Sequence, residues 1–269
     1  MPDNHPEQGR LDRLFNSPYA DFFTEVQKDN VKSHRIEHKF GRNPSVPNGS
    51  FAVVSTIGGT PAFLEAPDTV RIKIGGDADD DDGGVGAQMV TVQGLDSNFD
   101  EVTEDIVTNG VDVSASTTQS FWRIYRAFVT DGCAGTYGGS NAGDITIEDT
   151  SASMDLIKIL ADEGKTQHGM WASARNTTSY LMGVIVTADS GKAADIRFFI
   201  RSQFDDVTGP SYAPVRLQLY WDGILGAFGF SPQGPSVAIP EKSDVWFEAQ
   251  SGAGGSEVSI DFGILIVDD

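Results

Sequence analysis

The chain has 269 residues, with 39 acidic and 19 basic side chains and a formal net charge of −20. That charge repels phosphate backbones and no basic patch offsets it, so we expect no nucleic-acid partner. Cys133 is the only cysteine, which excludes an intrachain disulfide and cysteine-rich zinc sites.

The first 40 residues differ in composition from the rest of the chain. They lack the basic and apolar regions of a signal peptide, and no run approaches the roughly 18 apolar residues of a membrane span. We therefore expect a protein made in the cytoplasm of its host, with no membrane partner. Pro18 interrupts any continuous helix, so residues 1–40 are predicted to form a short helical or irregular arm. Its candidate interface residues are Leu14, Phe15, Phe22 and Phe23.

The sequence HRIEH at 34–38 matches a pattern found on the helices of some zinc peptidases. Zinc binding would need His34 and His38 on one face of a helix, together with a further carboxylate ligand. Residues 32–40 instead alternate in the manner of an extended strand. We therefore expect neither a zinc site nor a catalytic role for this segment.

From residue 41 to residue 155, short runs rich in Val, Ile, Thr and aromatic residues are separated by clusters of Gly, Asp, Asn and Ser. This composition is typical of strands joined by tight turns. The run TVRIKI at 69–74, for example, alternates so that Val70, Ile72 and Ile74 share one face. We predict a β-sandwich module over 41–155.

The stretch GGDADDDDGGVGAQ at 75–88 suggests a calcium site. In an EF-hand loop opened at Asp77, the third and fifth positions would be Asp79 and Asp81. However, the sixth position lacks the required Gly, and the twelfth holds Gln88 where a Glu is needed. We predict a solvated turn and no cofactor. An irregular calcium site with the ligands Asp77, Asp79 and Asp81 is the alternative.

Longer strand-like runs continue from residue 156 to residue 269. About eight strands in roughly 110 residues is the density of a jelly roll or a similar sandwich. We predict a jelly-roll-like β-sandwich module over 156–269, with the boundary between residues 150 and 164. The whole chain is thus predicted to be all-β, with two sandwich modules preceded by an arm.

Aromatic residues surround the glycine-rich turn in DGILGAFGF at 222–230. Trp221 precedes this turn, where burial is difficult, and Phe228 lies within the segment that follows it. Both are therefore candidate interface residues for a ligand or a partner subunit. The alternative is that the aromatic residues here, such as Tyr220 and Phe230, are buried by strand alternation.

Several segments follow one another in a recognisable order. They are KFGRNPSV at 39–46, VTVQGLDSNFDEVTEDIVTNG at 90–110, FWRIYRAFV at 121–129 and AIPEKSDVWFEAQSGAGGSEVSIDFGILIVDD at 238–269. Together they resemble a group of virion structural proteins from tailed bacteriophages, over nearly everything after residue 39. The resemblance implies a β-rich, non-enzymatic particle component and identifies no catalytic residues.

The sequence therefore favours a structural component of a tailed-phage virion: a head decoration, a head fibre, or a collar or tail accessory. Its expected partners are copies of itself, in a homo-oligomer of three-fold symmetry, and virion proteins such as capsid, collar or tail proteins. The chain lacks G-x-S-x-G, and Cys133 has no general base near it in sequence, so we expect no enzyme. A carbohydrate-binding module that contacts the host surface is the alternative.

Overall fold

A computed structural model describes residues 21–130, 139–205, 214–231 and 237–269, and they form one helix and sixteen strands. The predicted all-β class is confirmed. No helix in these ranges is long and apolar enough to cross a membrane. The helix α1 spans Phe22–Gln27. The strands are β1 (His34–Val46), β2 (Ala52–Val53), β3 (Val70–Ile72), β4 (Met89–Asp96), β5 (Glu101–Val107), β6 (Phe121–Thr130), β7 (Ile145–Asp149), β8 (Asp155–Ile159), β9 (Met170–Ala172), β10 (Thr177–Ala188), β11 (Ala194–Ser202), β12 (Val215–Ile224), β13 (Ala227–Phe230), β14 (Val237–Ile239), β15 (Ser243–Ser251) and β16 (Ser256–Asp268).

Ten of the strands form two five-stranded antiparallel sheets. In sheet I the order is β1-β16-β10-β13, and β14 also pairs with β10. In sheet II the order is β12-β11-β15-β2, and β9 also pairs with β15. Successive side chains of a strand point to opposite faces, so each sheet turns one apolar face inward. Phe247 of β15 and Phe262 of β16 meet there, with ring centroids 5.0 Å apart. Sheets I and II thus enclose the larger apolar core.

The other six strands form two three-stranded sheets, β3-β7-β8 and β5-β4-β6, around a smaller core. Strand β6 belongs to both cores. Phe121 and Ile124 are buried in the smaller core, whereas Trp122 and Tyr125 are buried in the larger one. The run FWRIYRAFV is apolar on both faces because both of its faces are buried.

The first two strands do not belong to the module in which the sequence placed them. They precede the small sheets in the chain, yet β1 pairs with β16 from His34–Val267 to Val46–Ser256, and β2 pairs with β15. The smaller core is therefore inserted between the first and the later strands of the larger core. The predicted division at 155/156 leaves β1 and β2 on the other side of the boundary from the strands with which they pair. The sequence could not show this, because pairing between strands so far apart in the chain leaves no local pattern.

The predicted arm at 1–40 overlaps β1, since residues 34–40 already lie in sheet I. Residues 1–20 of that arm lie outside the described ranges. The jelly-roll part of the prediction is not clearly met either, because the strands are divided among four small sheets.

Gly41 allows β1 to pass close to the segment that leads into β9. A Cβ atom at Gly41 would lie 2.5 Å from Gly169 Cα and 2.6 Å from the carbonyl oxygen of Val54, so no larger residue fits without a shift. Gly169 N–H also donates to that Val54 oxygen at 2.9 Å. The edge of sheet I is thereby held against sheet II on the side where the smaller core attaches.

Candidate functional site

One edge of the larger core exposes apolar side chains. Strand β12 pairs with β11 on one side and, among the described strands, has no neighbour on the other. Val215, Leu217 and Tyr220 of β12 are about half exposed, and so is Leu225 in the turn to β13. At the opposite edge, β1 and β9 contact β6 of the smaller core. The β12 edge is therefore the open side of the larger core within the described part of the chain.

Trp221 and Phe228, the candidate interface residues of this region, face inward. The Trp221 ring lies 6.2 Å from that of Phe228 and 6.4 Å from that of Phe247, centroid to centroid. Both are partly buried against the larger core. The sequence offered burial of Tyr220 and Phe230 as an alternative. Phe230 is partly buried, whereas Tyr220 is exposed. The exposed apolar surface is formed instead by neighbours that the sequence did not single out, above all Leu217.

Charged groups stand at the two ends of β12. Arg216 is exposed and forms no ion pair with any residue in the described ranges. Asp222 lies beside Asp195 of β11, which accepts a hydrogen bond from Gly223 N–H at 2.9 Å. The hydrogen bond to the Asp195 carboxyl, reinforced by its negative charge, raises the pKa of Asp222. Two carboxyl groups thus share one end of the strand, while the other end carries a guanidinium that has no ion pair among the described residues.

Phe22 and Phe23, the described members of the predicted arm interface, lie on α1. Their ring centroids are 5.3 Å apart, and Phe22 also meets the His34 ring edge-on at 5.9 Å. Both phenylalanines remain more than one-third exposed. The structure therefore places them at the surface beside the start of β1. Leu14 and Phe15 lie outside the described residues.

The acidic loop is organised around one carboxylate that the sequence analysis did not single out. Asp80 is 2% exposed, and its side chain accepts hydrogen bonds from the N–H groups of Ala87, Ala142 and Gly143 at 2.7, 2.8 and 2.9 Å. A Cβ atom at Gly86 would collide with Asp80 Oδ1, which explains why the loop needs a glycine there. The loop is thus an ordered turn folded around Asp80, rather than a fully solvated one.

The proposed calcium ligands do not surround a common centre. Asp77 and Asp79 are exposed; the carboxylate of Asp77 accepts a hydrogen bond from Asp79 N–H at 2.9 Å, and Asp81 accepts one from Gly83 N–H at 3.3 Å. Asp82 is next to Asp81, whose carboxyl raises the pKa of Asp82. Within the described ranges, no group of three or more His, Cys, Asp or Glu side chains is placed to hold a metal ion.

The HRIEH segment lies in β1 and is extended, as its alternation indicated. His38 Nε2 is 2.6 Å from Asp261 Oδ1 on β16, and His34 Nδ1 is 2.8 Å from the carbonyl oxygen of Lys32. The helical arrangement that a zinc peptidase pattern requires is absent from this segment.

A polar seam separates the two cores, and we define it as Lys39, Ser55, Tyr125 and His168. Lys39 Nζ donates a hydrogen bond to the carbonyl oxygen of Tyr125. Burial, with a smaller contribution from the positive charge of Arg126, lowers the pKa of Lys39 to about 7. Burial likewise raises the pKa of the Tyr125 hydroxyl. The seam therefore holds an amine that releases its proton near neutral pH.

Ser55 and His168 form a hydrogen-bonded pair in this seam, with Oγ and Nδ1 2.8 Å apart. A serine beside a histidine is the beginning of a nucleophilic arrangement. Both residues are closed to solvent, however, and burial followed by the charge of Lys39 lowers the pKa of His168 to about 3. An imidazole with that pKa is a poor general base at neutral pH. The pair is consistent with a packing role.

A second buried network joins β6 to sheet II. Asp244 is 1% exposed and accepts from Arg123 through both oxygens, at 2.7 and 3.0 Å, and from Arg201 Nε at 3.1 Å. Arg123 also donates to the carbonyl oxygen of Leu64 at 2.9 Å. The bidentate contact between the Arg123 guanidinium and the Asp244 carboxylate fixes orientation as well as distance. This network therefore determines how the smaller core packs against the larger one.

A cleft of about 270 Å³ opens on the surface beside the polar seam. Its basic groups are largely neutralised. His38 contacts Asp261, and Arg126 donates to Glu37 at 3.1 Å. Neither Lys165 nor Lys39 forms an ion pair with any described residue, and burial lowers the pKa of Lys39 to about 7, so Lys165 is the fully charged group that the described part of the cleft leaves uncompensated. The lining residues are His38, Lys39, Phe40, Arg126, Phe128, Lys165 and Thr166.

Comparison with known proteins yields no family assignment: no protein-family model and no curated protein sequence matches the chain. Among solved structures, a chain in the structure of the infectious bursal disease virus Gt strain aligns with 88% of this chain and over 72% of its own length, at 9% identity and a TM-score of 0.23. The VP2 subviral particle of the same virus aligns over 96% and 77%, at 9% identity and a TM-score of 0.21. These neighbours are viral particle proteins, but TM-scores this low carry no argument about the present chain.

Proposed function

We propose that the protein is a structural component of a tailed-phage virion, which acts by symmetric self-assembly and by docking onto capsid, collar or tail proteins. The observation that carries this proposal is the open β12 edge, where apolar side chains are exposed on a chain with a net charge of −20. Exposed apolar patches on a soluble, highly charged protein mark surfaces that other molecules cover. The resemblance to virion proteins after residue 39 supports the particle as the place where this happens.

The jelly roll is part of the same proposal. The chain visits the two larger sheets in the order β1 in sheet I, β9 in II, β10 in I, β11 and β12 in II, β13 in I, β15 in II and β16 in I. Eight strands in this alternation form a jelly roll, an architecture that occurs in capsid proteins and in lectins. The strand order supports this interpretation, with β2 and β14 as short additions. Because one fold serves many functions, it does not choose between a particle role and sugar binding.

The proposal includes no catalytic activity and no cofactor. Ser55 and His168 are buried in the polar seam, and His34 and His38 lie on an extended strand. These placements support a scaffold role for the protein over action on a substrate. The protein would be made in the cytoplasm of the bacterial host and retained in the virion.

Purified virions of the phage that encodes the chain provide the test. Mass spectrometry is expected to detect the protein at many copies per particle, and a cryo-EM map is expected to contain both cores at symmetry-related positions on the head, collar or tail. Particles that lack the protein after purification, while infected cells contain it, would contradict the proposal.

A host-surface sugar-binding module is the second candidate, and one observation favours it. The exposed Tyr220 ring lies beside the carboxyl groups of Asp195 and Asp222. Desolvation, followed by the negative charges of these two groups, raises the pKa of the Tyr220 hydroxyl. An aromatic face next to hydrogen-bond acceptors is suited to stacking on a sugar ring. Binding on a glycan array that disappears in Tyr220→Ala, but persists in Tyr180→Ala, is expected only if this candidate is correct.

A further inference from the structure

We propose that Asn48 is a site of spontaneous deamidation, at which the side-chain amide is converted to aspartate or isoaspartate, and that the fold protects Asn109 from the same reaction. Both residues are followed by glycine, and they form the two Asn-Gly sequences of the chain. The two identical dipeptides lie in different environments, and this contrast carries the proposal. The modification is independent of the proposed function.

Asparagine followed by glycine meets little steric resistance to this reaction, because glycine has no side chain to hinder its own N–H group. The main-chain nitrogen of Gly49 attacks Cγ of Asn48, and a five-membered succinimide ring forms. The side-chain nitrogen leaves as ammonia together with the proton of the Gly49 N–H. Water then opens the ring at one of its two carbonyl groups, which gives either aspartate or isoaspartate. Water is the only other reactant, so the reaction requires neither an oxidant nor a reductant.

Asn48 lies in the connection between β1 of sheet I and β2 of sheet II, and Asn48, Gly49 and Ser50 are all exposed. The Asn48 side chain forms no hydrogen bond with any described residue, so its amide is free to rotate towards the main chain. Gly49 has a φ of +78°, and a Cβ atom added there would have nothing within 4 Å. The reacting groups therefore have the space that ring closure needs.

One isolated bridge restrains the main chain at Asn48. It joins Asn48 to Ser251 of β15, and the Ser251 N–H donates to the carbonyl oxygen of Pro47 at 3.0 Å. Hydrogen bonds in an exposed loop open locally, whereas those within a sheet open only with larger parts of the structure. Ring closure at Asn48 thus requires movement of this loop alone.

Asn109 follows β5, and both of its reacting groups are fixed. Its Nδ2 donates to the carbonyl oxygen of Val113 at 2.9 Å. The N–H of Gly110, which would be the nucleophile, donates to the main-chain oxygen of Asp80 at 2.7 Å. Asn109 also forms a bridge with Asp81. Ring closure here would break both hydrogen bonds and pull the peptide away from the ordered acidic loop.

These hydrogen bonds determine the expected difference in rate. Breaking two of them to reach the transition state slows a reaction about tenfold or more, so Asn48 is expected to deamidate faster than Asn109 by at least that factor in the folded protein. In the unfolded chain both hydrogen bonds are absent. The two sites are then expected to react at similar rates.

The product changes the surface where the chain passes from sheet I to sheet II. Each conversion replaces a neutral amide with a carboxylate, so the net charge becomes more negative than −20. Isoaspartate also adds a methylene group to the main-chain path between residues 48 and 49, beside the bridge to Ser251. Aged copies of the protein are therefore expected to differ from new ones in charge and in the local course of the backbone.

The test is incubation of the full-length protein at mildly alkaline pH, with samples taken over several days and analysed by peptide mapping and mass spectrometry. Aspartate and isoaspartate are expected to accumulate in the peptide that contains Asn48, well before the peptide that contains Asn109 changes. Asn48→Gln should prevent the acidic species that ion-exchange chromatography separates. The same incubation in guanidinium chloride is the control, in which both peptides are expected to react at similar rates.

A second comparison tests the protection of Asn109 itself. Asp80→Ala removes the carboxylate around which the acidic loop folds, and it is expected to speed the reaction at Asn109 while the rate at Asn48 stays the same. Asp79→Asn, in the same loop, should change neither rate. An unmodified Asn48, equal rates at the two sites in the folded protein, or a difference that persists in guanidinium chloride would overturn the inference.

Discussion

The ammonium group of Lys39 on β1 donates a hydrogen bond to the main-chain oxygen of Tyr125 on β6, and this contact ties the first strand of the larger core to the strand shared by both cores. Lys39 is 4% exposed, and burial lowers its pKa from 10.5 to about 7. The stability of the folded chain is therefore expected to depend on the protonation of Lys39.

The sign of that dependence follows from proton binding. Between pH 7 and pH 10.5 the unfolded chain holds a proton on Lys39 that the folded chain has released. The contribution of Lys39 to the free energy of unfolding therefore rises with pH in this window, by no more than about 5 kcal/mol. We expect Lys39→Met to remove this rise. Urea unfolding of both proteins at several pH values from 7 to 10 measures it, and parallel pH curves would contradict the pKa shift.

The lowered pKa of His168 predicts that the free energy of unfolding depends on pH below 6.5. Its pKa is lowered from 6.5 to about 3, so between these values the unfolded chain binds a proton that the folded chain excludes. Stability from this group is lost as the pH falls from 6.5 towards 3. We expect His168→Asn to lose less stability than the wild type between pH 6.5 and pH 4. Urea unfolding of both proteins at several pH values in this window measures the difference, and parallel pH curves for the two would contradict the pKa shift.

The buried carboxylate of Asp80 predicts a large effect of a single substitution in the acidic loop. Asp80→Ala leaves three N–H groups without their acceptor, and we expect the free energy of unfolding to fall by about 3 kcal/mol. Asp79→Asn changes an exposed side chain of the same loop and should have almost no effect. Chemical denaturation of the two variants measures the difference, and equal effects would show that Asp80 does not organise the loop.

Calcium is expected to leave the melting temperature unchanged. The carboxylates of Asp77, Asp79 and Asp81 do not converge on one point, and Asp80 is already occupied by main-chain donors. A specific site would add about 2.7 kcal/mol of stability at a calcium concentration one hundred times its Kd. Scanning calorimetry with millimolar calcium and with EDTA tests this, and a rise of several degrees with calcium would restore the metal hypothesis.

The sequence could predict the all-β class because strand alternation and glycine-rich turns are local signals. It could not predict that β1 belongs with β16, since that pairing joins opposite ends of the chain. Alternation in β1 also suggests the wrong face for the core, because it favours the face that carries Phe40. Residues directly opposite on paired strands share a face, and Lys39 stands opposite the buried Phe262, so the lysine rather than Phe40 points towards the core side.

The same limit applies to the candidate surface. Trp221 was singled out for its chemistry, but its exposure depends on Phe247 and Phe228, which come from other strands. Leu217 carried no signal of its own, because an alternating leucine in a strand is ordinarily buried. Leu217 stands opposite Phe199, on the face of sheet II that points away from the larger core, and this placement makes it a surface residue.

The position of β1 also changes the expected result of an N-terminal deletion. If residues 1–40 formed a separate arm, deleting Met1–Glu37 would leave the stability nearly unchanged. In the structure, however, that deletion removes the first four residues of β1, from His34 to Glu37, which pair with Val267 to Ile264 of β16. It also removes the ion pair between Arg35 and Glu101, whose atoms are 2.7 Å apart.

We therefore expect the deletion of Met1–Glu37 to lower the free energy of unfolding by about 3 kcal/mol or more, because several main-chain hydrogen bonds are lost and part of β16 becomes an edge. Deleting only residues 1–20 leaves β1 whole and is the matched comparison, because the difference between the two shortened proteins isolates residues 21–37. Thermal unfolding of the two shortened proteins compares them directly. If both melt like the full chain, residues 34–37 contribute nothing to sheet I, and the arm extends as far as the sequence alone suggested.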